Sequence, residues 1–425
     1  MSTHHGKDYW IVSIFMFSLF VCYSFVYAMY AIWLSQAVNL SGEQIGIIFS
    51  LNAFAAITTQ PLLGFIQDKI QARQHILWLN VITLLAAGPF LNHVYKPILV
   101  ADFYLGAAIG ALYIALVFLA IAGAVETYIE RISRFNHLEY GQIRTWGSLG
   151  WAAAAFFTGR LININPDLNF WLASAIAIVP LFILAVIKIP VSEKATAAFE
   201  KADKISLKDV IAVMKIKDFH FLAVYVFGVA SVYVVYDQQF PVYFASIFET
   251  IEAGNKMYGY LNSAQIFLEA GGFFVAPWLI NKIGPKNGLL LAGSIMVIRI
   301  IASALTDSSI AISLIKLLHA AELPILMISM FKYLNRHFDS HLSSTLYLVG
   351  YAFVTQVGTV ILSPIAGYYY DSIGFEKTYF IMAAIAGFFL LISTQLLLSD
   401  KAKVVIDPVE NLPTDNNGEA STSSN

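Results

Sequence analysis

Twelve long, mostly apolar stretches follow one another along this 425-residue chain, and no other feature limits its fold as strongly. They begin near Tyr9, Gln44, His75, Phe103, Ile143, Asn169, Phe219, Met257, Gly288, Ile310, Ser344 and Thr378. A helix of about 20 apolar residues crosses a bilayer, and helices suit that setting because a backbone without water beside it must satisfy its own hydrogen bonds. The expectation is an all-α membrane protein with twelve transmembrane helices, the lipid bilayer being its first partner. Composition agrees, since 58% of residues are hydrophobic and only 12% are charged. The first run lacks a small-residue cleavage site and reads as a retained helix rather than a signal peptide.

An even number of crossings puts both ends of the chain on one side, and basic residues say which. Nineteen lysines and arginines fall in the tails and the alternate loops on their side, against four (Lys96, Arg160, Lys256 and Lys377) in the opposite loops. Both termini are therefore expected in the cytoplasm, the membrane being the bacterial cytoplasmic (inner) membrane. A formal net charge of −2 gives no reason to expect a nucleic-acid partner. The single cysteine, Cys22, excludes an internal disulfide.

The helices are interrupted once, after the sixth, by a polar stretch. This divides the chain into a six-helix bundle (1–190), a cytoplasmic linker (191–217), a second six-helix bundle (218–400) and a disordered cytoplasmic tail (401–425). A weak repeat supports the division. Runs two, five, eight and eleven end alike, in Gly64-Phe-Ile-Gln-Asp68, Gly159-Arg-Leu-Ile-Asn163, Ala276-Pro-Trp-Leu-Ile-Asn281 and Gly367-Tyr-Tyr-Tyr-Asp371. Two of these ends belong on each side of the membrane, as expected of inverted three-helix repeats with a substrate site near the midplane.

Charges inside the apolar runs then point to a function. Glu126, Arg144, Asp237, Glu269, Arg299, Lys316 and Glu322, with His319, lie where an unpaired charge is costly, and such residues mark the path of a polar solute, an ion or a proton. Four carboxylates face three permanent cations. If three pairs form, one carboxyl is left over, and a lone carboxyl in an apolar site is suited to exchanging a proton. Asp237 and Lys316 are expected to form a structural ion pair. Glu269 reads equally as a partner of Arg299 or as a substrate ligand, and Lys316, His319 and Glu322 share one helical face.

In the first half, Arg144 offers a guanidinium fork that can hold Glu126 and sugar hydroxyls together. Trp151 lies two turns deeper, beside Gly147, Ser148 and Gly150, where a flat sugar ring would fit. Glu130, Arg131 and Arg134 sit at snorkelling depth and read as readily as solvated loop charges. No phosphate-binding loop, nucleophile elbow or metal-spaced cluster is present. The chain is thus read as no enzyme, without metal or cofactor, driven by a proton as coupling ion and working as a monomer.

At these residues the sequence resembles the oligosaccharide:proton symporters of the major facilitator superfamily, from Tyr9 to about Leu398. The resemblance rests on Ala124-Val-Glu126 through Arg134, Glu139-Tyr-Gly-x-x-Arg144, Gly150-Trp151, Asp237-Gln-Gln, Arg299 and Lys316-x-x-His319-x-x-Glu322. It implies the major facilitator fold, sugar binding by Glu126, Arg144, Trp151, Glu269 and His319, and proton translocation by Glu322 with Arg299 and His319. Two departures bear on the sugar. Ile266 replaces an acidic residue of the lactose branch, and Val234 and Thr355 replace its Asp–Lys pair. Both features are similar to the sucrose branch, whereas Trp151 agrees with the lactose and raffinose branches. Sucrose is therefore expected first, then raffinose, lactose or melibiose. A drug exporter on the same fold or a non-transporting sugar sensor are the rival readings, the first needing a broader apolar site and the second no surplus carboxyl.

Overall fold

The computed structural model describes residues 3–70, 75–119, 121–135, 138–187, 215–338 and 346–400. These form twelve successive helical segments. In the first half they are α1 (Lys7–Gln36), α2 (Gly42–Ile70), α3 (His75–Leu85 and Ala87–Ala101), α4 (Phe103–Leu119 and Ile121–Phe135), α5 (Tyr140–Ile164) and α6 (Leu168–Ile187). The second half has α7 (Lys217–Ser246), α8 (Ile251–Ile283), α9 (Pro285–Leu305), α10 (Ser309–His337), α11 (Val349–Ile373) and α12 (Phe375–Leu396). The linker expected at 191–217 lies almost wholly outside the described residues, and the tail at 401–425 entirely so.

Eight of these segments are long and apolar enough to cross a membrane unaided, and α3, bent by 51° at its break, makes a ninth. Of the other three, α4 is apolar throughout Phe103–Leu119, and α5 carries Arg144 and Arg160 in its length. α8 begins at Ile251 rather than near Met257. Its first turns hold Glu252, Asn255 and Lys256, which hide it from a search for apolar runs, while Thr250 caps it by accepting from the Ala253 amide at 3.2 Å.

α1 packs on α5, α2 on α4 and α3 on α6; six helices later, α7 packs on α11, α8 on α10 and α9 on α12. The result is two six-helix bundles built alike, whose seam runs along α2 with α11 and α5 with α8. Large apolar side chains such as Phe274 and Leu391 point outward. Lipid tails are as apolar as these side chains, so association between helices rests on close packing and hydrogen bonds.

Among the described residues, glycines bring the seam's backbones close together at the end of the molecule away from the termini. A methyl group on Gly46 would come within 2.2 Å of the Ser363 carbonyl oxygen, and one on Gly159 within 2.0 Å of the Asn255 carbonyl oxygen. Only glycine permits either approach. Asp371, ending α11, accepts from the Gly42 and Glu43 amides at 2.8 Å each and so caps α2, where a carboxylate also meets the positive end of the helix. Gln239 Nε2 of α7 donates to the Gly42 carbonyl at 2.8 Å, and its neighbour Gln238 accepts from Ser363 Oγ at 2.7 Å. At the matching contact, Asn163 Nδ2 donates to the Glu252 carbonyl at 2.7 Å, and Asn255 Nδ2 donates to Asn163 Oδ1 at 2.9 Å and Gln36 Oε1 at 2.8 Å. The repeated helix ends at Gly159–Asn163 and Gly367–Asp371 are thus where each bundle grips a helix start of the other. Of the ends at the opposite face, the side chains of 64–70 are not described.

Replacing Gly46 and Gly159 together by leucine should force this end apart. A reporter cysteine at Gln36 should then react faster with a membrane-impermeant maleimide than in the glycine parent, Cys22 being buried and silent. Unchanged labelling would show that the seal does not depend on these approaches.

Candidate functional site

Charged side chains gather in both bundles. In the first, Arg144 Nε lies 3.0 Å from Glu126 Oε1, joining α5 to α4, and each side chain is about one-third exposed (35% and 34%). The same guanidinium donates through Nη1 to Ser148 Oγ at 3.1 Å and has its central carbon 4.4 Å from the centre of the Phe20 ring of α1. Glu126 and Arg144 are therefore paired yet reachable, with spare donors and acceptors. Trp151 is half-buried, tilted against Phe118 at 5.7 Å between ring centres, and Phe118 stacks in turn on Tyr27 at 4.2 Å. Ser24 Oγ donates to the Trp151 carbonyl at 3.0 Å, tying this turn of α5 to α1.

The second bundle centres on Arg299 of α9, which is fully buried. It donates through Nη2 to Asp237 Oδ1 at 2.7 Å and through Nη1 to Glu322 Oε1 at 2.5 Å, and also to the Tyr233 hydroxyl. The rings of Tyr233, Tyr236 and Phe240 lie 5.2–5.4 Å from the guanidinium carbon, so α7 surrounds the cation with aromatic faces that attract it. His319 Nε2 is 3.3 Å from Asp237 Oδ2, while its Nδ1 is 3.6 Å from Glu269 Oε1 and 3.8 Å from Glu322 Oε1. Glu322 is itself fully buried, and its Oε2 has no hydrogen-bond partner among the described residues.

The pairing differs from the one expected. Asp237 is held by Arg299 and His319 and forms no ion pair with Lys316. Lys316, 3% exposed, donates instead to Gln265 Oε1 at 2.8 Å and lies 4.3 Å from the centre of the Tyr258 ring. α10 is broken between these residues. At Leu318 the bonds tighten, with the Leu318 amide donating to the Ile315 carbonyl at 3.2 Å and the Ala321 amide to the Leu318 carbonyl at 3.0 Å. Residues at i, i+3 and i+6 spread over about 120° of a helix, so Lys316 meets Gln265 and Tyr258 of α8 while Glu322 meets Arg299 of α9. Nor does the count of three pairs and one spare hold. Asp237 and Glu322 share one guanidinium, and Lys316 pairs with no carboxylate among the described residues. Glu269 lies beside His319, 3.6 Å away without a hydrogen bond, rather than beside Arg299, and accepts from Gln265 Nε2 at 2.7 Å.

Comparison with known proteins assigns this architecture. From residue 1 to 410 the chain matches the LacY proton/sugar symporter family. The chain belongs to that family. Raffinose permease of Escherichia coli is 39% identical, with 97% of each chain covered, and sucrose permease of the same species is 36% identical over 94% of this chain and 96% of that one. Melibiose permease of Enterobacter cloacae is 38% identical over 89% and 90%. Among solved structures, the nucleoside transporter NupG superposes with a TM-score of 0.71 at 14% identity, covering 92% of this chain and 99% of that one. A bacterial homologue of the human lysosomal transporter Spinster, inward-facing and occupied, gives 0.66 at 14% identity over 94% and 99%. These likenesses show the fold alone, which is that of the major facilitators.

Tyr233, Phe20, Phe118 and Gln265 were not singled out from the sequence of this symporter. Tyr233 could have been, because it lies one turn before Asp237 and so on the same face of α7. Phe20 and Phe118 could not, since an aromatic residue in an apolar run carries no mark of what lies across from it.

The Arg144 geometry yields a prediction. Arg144→Lys keeps the charge, but one ammonium cannot reproduce donations from both Nε and Nη1 while sitting over the Phe20 ring. Sugar affinity should fall at least about tenfold, the usual order for losing a charge-assisted hydrogen bond. Near-parent affinity in a binding titration would remove Arg144 from the sugar site.

Proposed function

We propose that this symporter imports a di- or trisaccharide together with a proton by alternating access. Glu126, Arg144, Trp151, Glu269 and His319 bind the sugar, and Glu322 carries the proton, with Arg299 and His319 assisting its transfer. The observation that carries this reading is Glu322 itself. It is fully buried, with one oxygen on a cation that Asp237 also engages and the other without a partner among the described residues, which leaves a place for a proton beside a polar cluster. Proton and sugar would then bias the same equilibrium between two states of the seam between bundles.

With the tails cytoplasmic, as the distribution of basic residues favours, the sealed end is external and the structure stands in an inward-facing state. The units are taken as 1–190, 191–217, 218–400 and 401–425, acting as a monomer in the bacterial inner membrane. Sucrose ranks first as substrate, on Ile266 and the neutral Val234 and Thr355. Raffinose is the second reading, favoured by Trp151 and by the 39% identity to a raffinose permease. Uptake of labelled sucrose, raffinose, lactose and melibiose into energised vesicles, with and without a protonophore, decides among them. Uptake that ignores the protonophore would sink the coupled mechanism, and preference for raffinose would reverse the ranking.

A further inference from the structure

Lys316 is a buried ammonium whose nearest polar partner is neutral, and what that partner does next is informative. An ammonium has donors only, so it can engage just the carbonyl oxygen of the Gln265 side chain. That fixes which way the amide faces. Its nitrogen must then point away from Lys316, and it donates to Glu269 Oε1, one turn along α8, at 2.7 Å. The same oxygen lies 3.6 Å from His319 Nδ1. Gln265 is buried (6% exposed) and so orders two neighbours at once, holding Lys316 in place and turning one oxygen of Glu269 toward α10. Glu269 Oε2 takes no part in these contacts.

We propose that Gln265 is a positioning residue for sugar recognition. Lys316 sets the direction of its amide, the amide pins Glu269 Oε1, and Glu269 Oε2 is thereby presented to a sugar hydroxyl. This rests on the reading of Glu269 as a sugar ligand. It also gives Lys316 a role that requires no carboxylate partner.

Two variants test it. Gln265→Leu removes both bonds and leaves Lys316 without an acceptor, which puts folding at risk. Gln265→Glu keeps an acceptor for Lys316, and improves it, but sets a carboxylate against that of Glu269 and turns it away. In equilibrium exchange with sucrose, raffinose, lactose and melibiose, Gln265→Glu should raise KM about tenfold or more while the maximal exchange rate and thermal stability stay near those of the parent. A purely structural residue would lower rate and stability together and leave KM unchanged. A folded Gln265→Glu protein with parent KM overturns the proposal, as does a folded Gln265→Leu protein with parent KM. A parent chain that neither binds nor exchanges any of the four sugars would sink the transport reading and this assignment with it, whereas normal exchange by the parent beside an unmoved KM sinks the assignment alone.

Discussion

Replacing Glu322 by glutamine is expected to abolish uphill accumulation of sugar while sparing exchange of sugar across the membrane. The glutamine side chain is close in shape to a protonated glutamate and can still meet Arg299 through its carbonyl oxygen, so the loaded carrier is preserved. It cannot release a proton. The return of the empty carrier, which requires that release, should therefore stop, and with it net transport against a gradient. The measurement is accumulation of labelled sugar in cells beside counterflow in preloaded vesicles. If the variant still concentrates sugar, the proton resides elsewhere, and Asp237 and Glu269 become the next carboxyls to examine.

A larger effect on the protein itself is expected from Arg299→Gln. One fully buried guanidinium serves Asp237 and Glu322 together, so its removal strands the fully buried Glu322 and leaves Asp237 with His319 alone. Breaking a buried pair by deleting one partner costs about 3–5 kcal/mol, and the Arg299–Glu322 pair is of that kind. The amount of protein recovered from the membrane should fall sharply. Adding Glu322→Gln removes the stranded charge and should restore much of the protein, though not accumulation of sugar. Quantifying both variants by immunoblot and uptake separates the two effects. Full activity in Arg299→Gln alone would show that the shared cation is dispensable.

The helices were legible because length and apolar content are local properties, and the bilayer demands both. α8 shows the limit, since its polar first turns look like a loop until Thr250 is seen to cap them. The charges were legible as residues that must matter but not as pairs. Glu126 with Arg144 could be guessed, the two standing on consecutive helices near one end. Asp237 with Lys316 was the wrong pairing for this structure, because partners across a bundle depend on the rotation of each helix, and side chains three residues apart already drift about 60° around α10. Counting charges carried no warning that one arginine would serve two acids. Gln265 escaped notice for a further reason: a neutral amide becomes informative only when its two ends are seen to touch different groups.

The run Asp237-Gln238-Gln239 on α7 makes contact with three different parts of the molecule in three consecutive residues. Asp237 rests on Arg299, Gln238 on Ser363 of α11, and Gln239 on the first carbonyl of α2. Successive side chains on a helix point about 100° apart, so these three fan around most of the circumference of α7 like spokes fixed to one axle. Any turn of α7 that draws Asp237 off the cation must sweep the two glutamines off their contacts on α11 and α2, and any parting of the seam must tug on the aspartate. Within this one turn of helix, the charge cluster and the seal between the bundles cannot be set independently of each other.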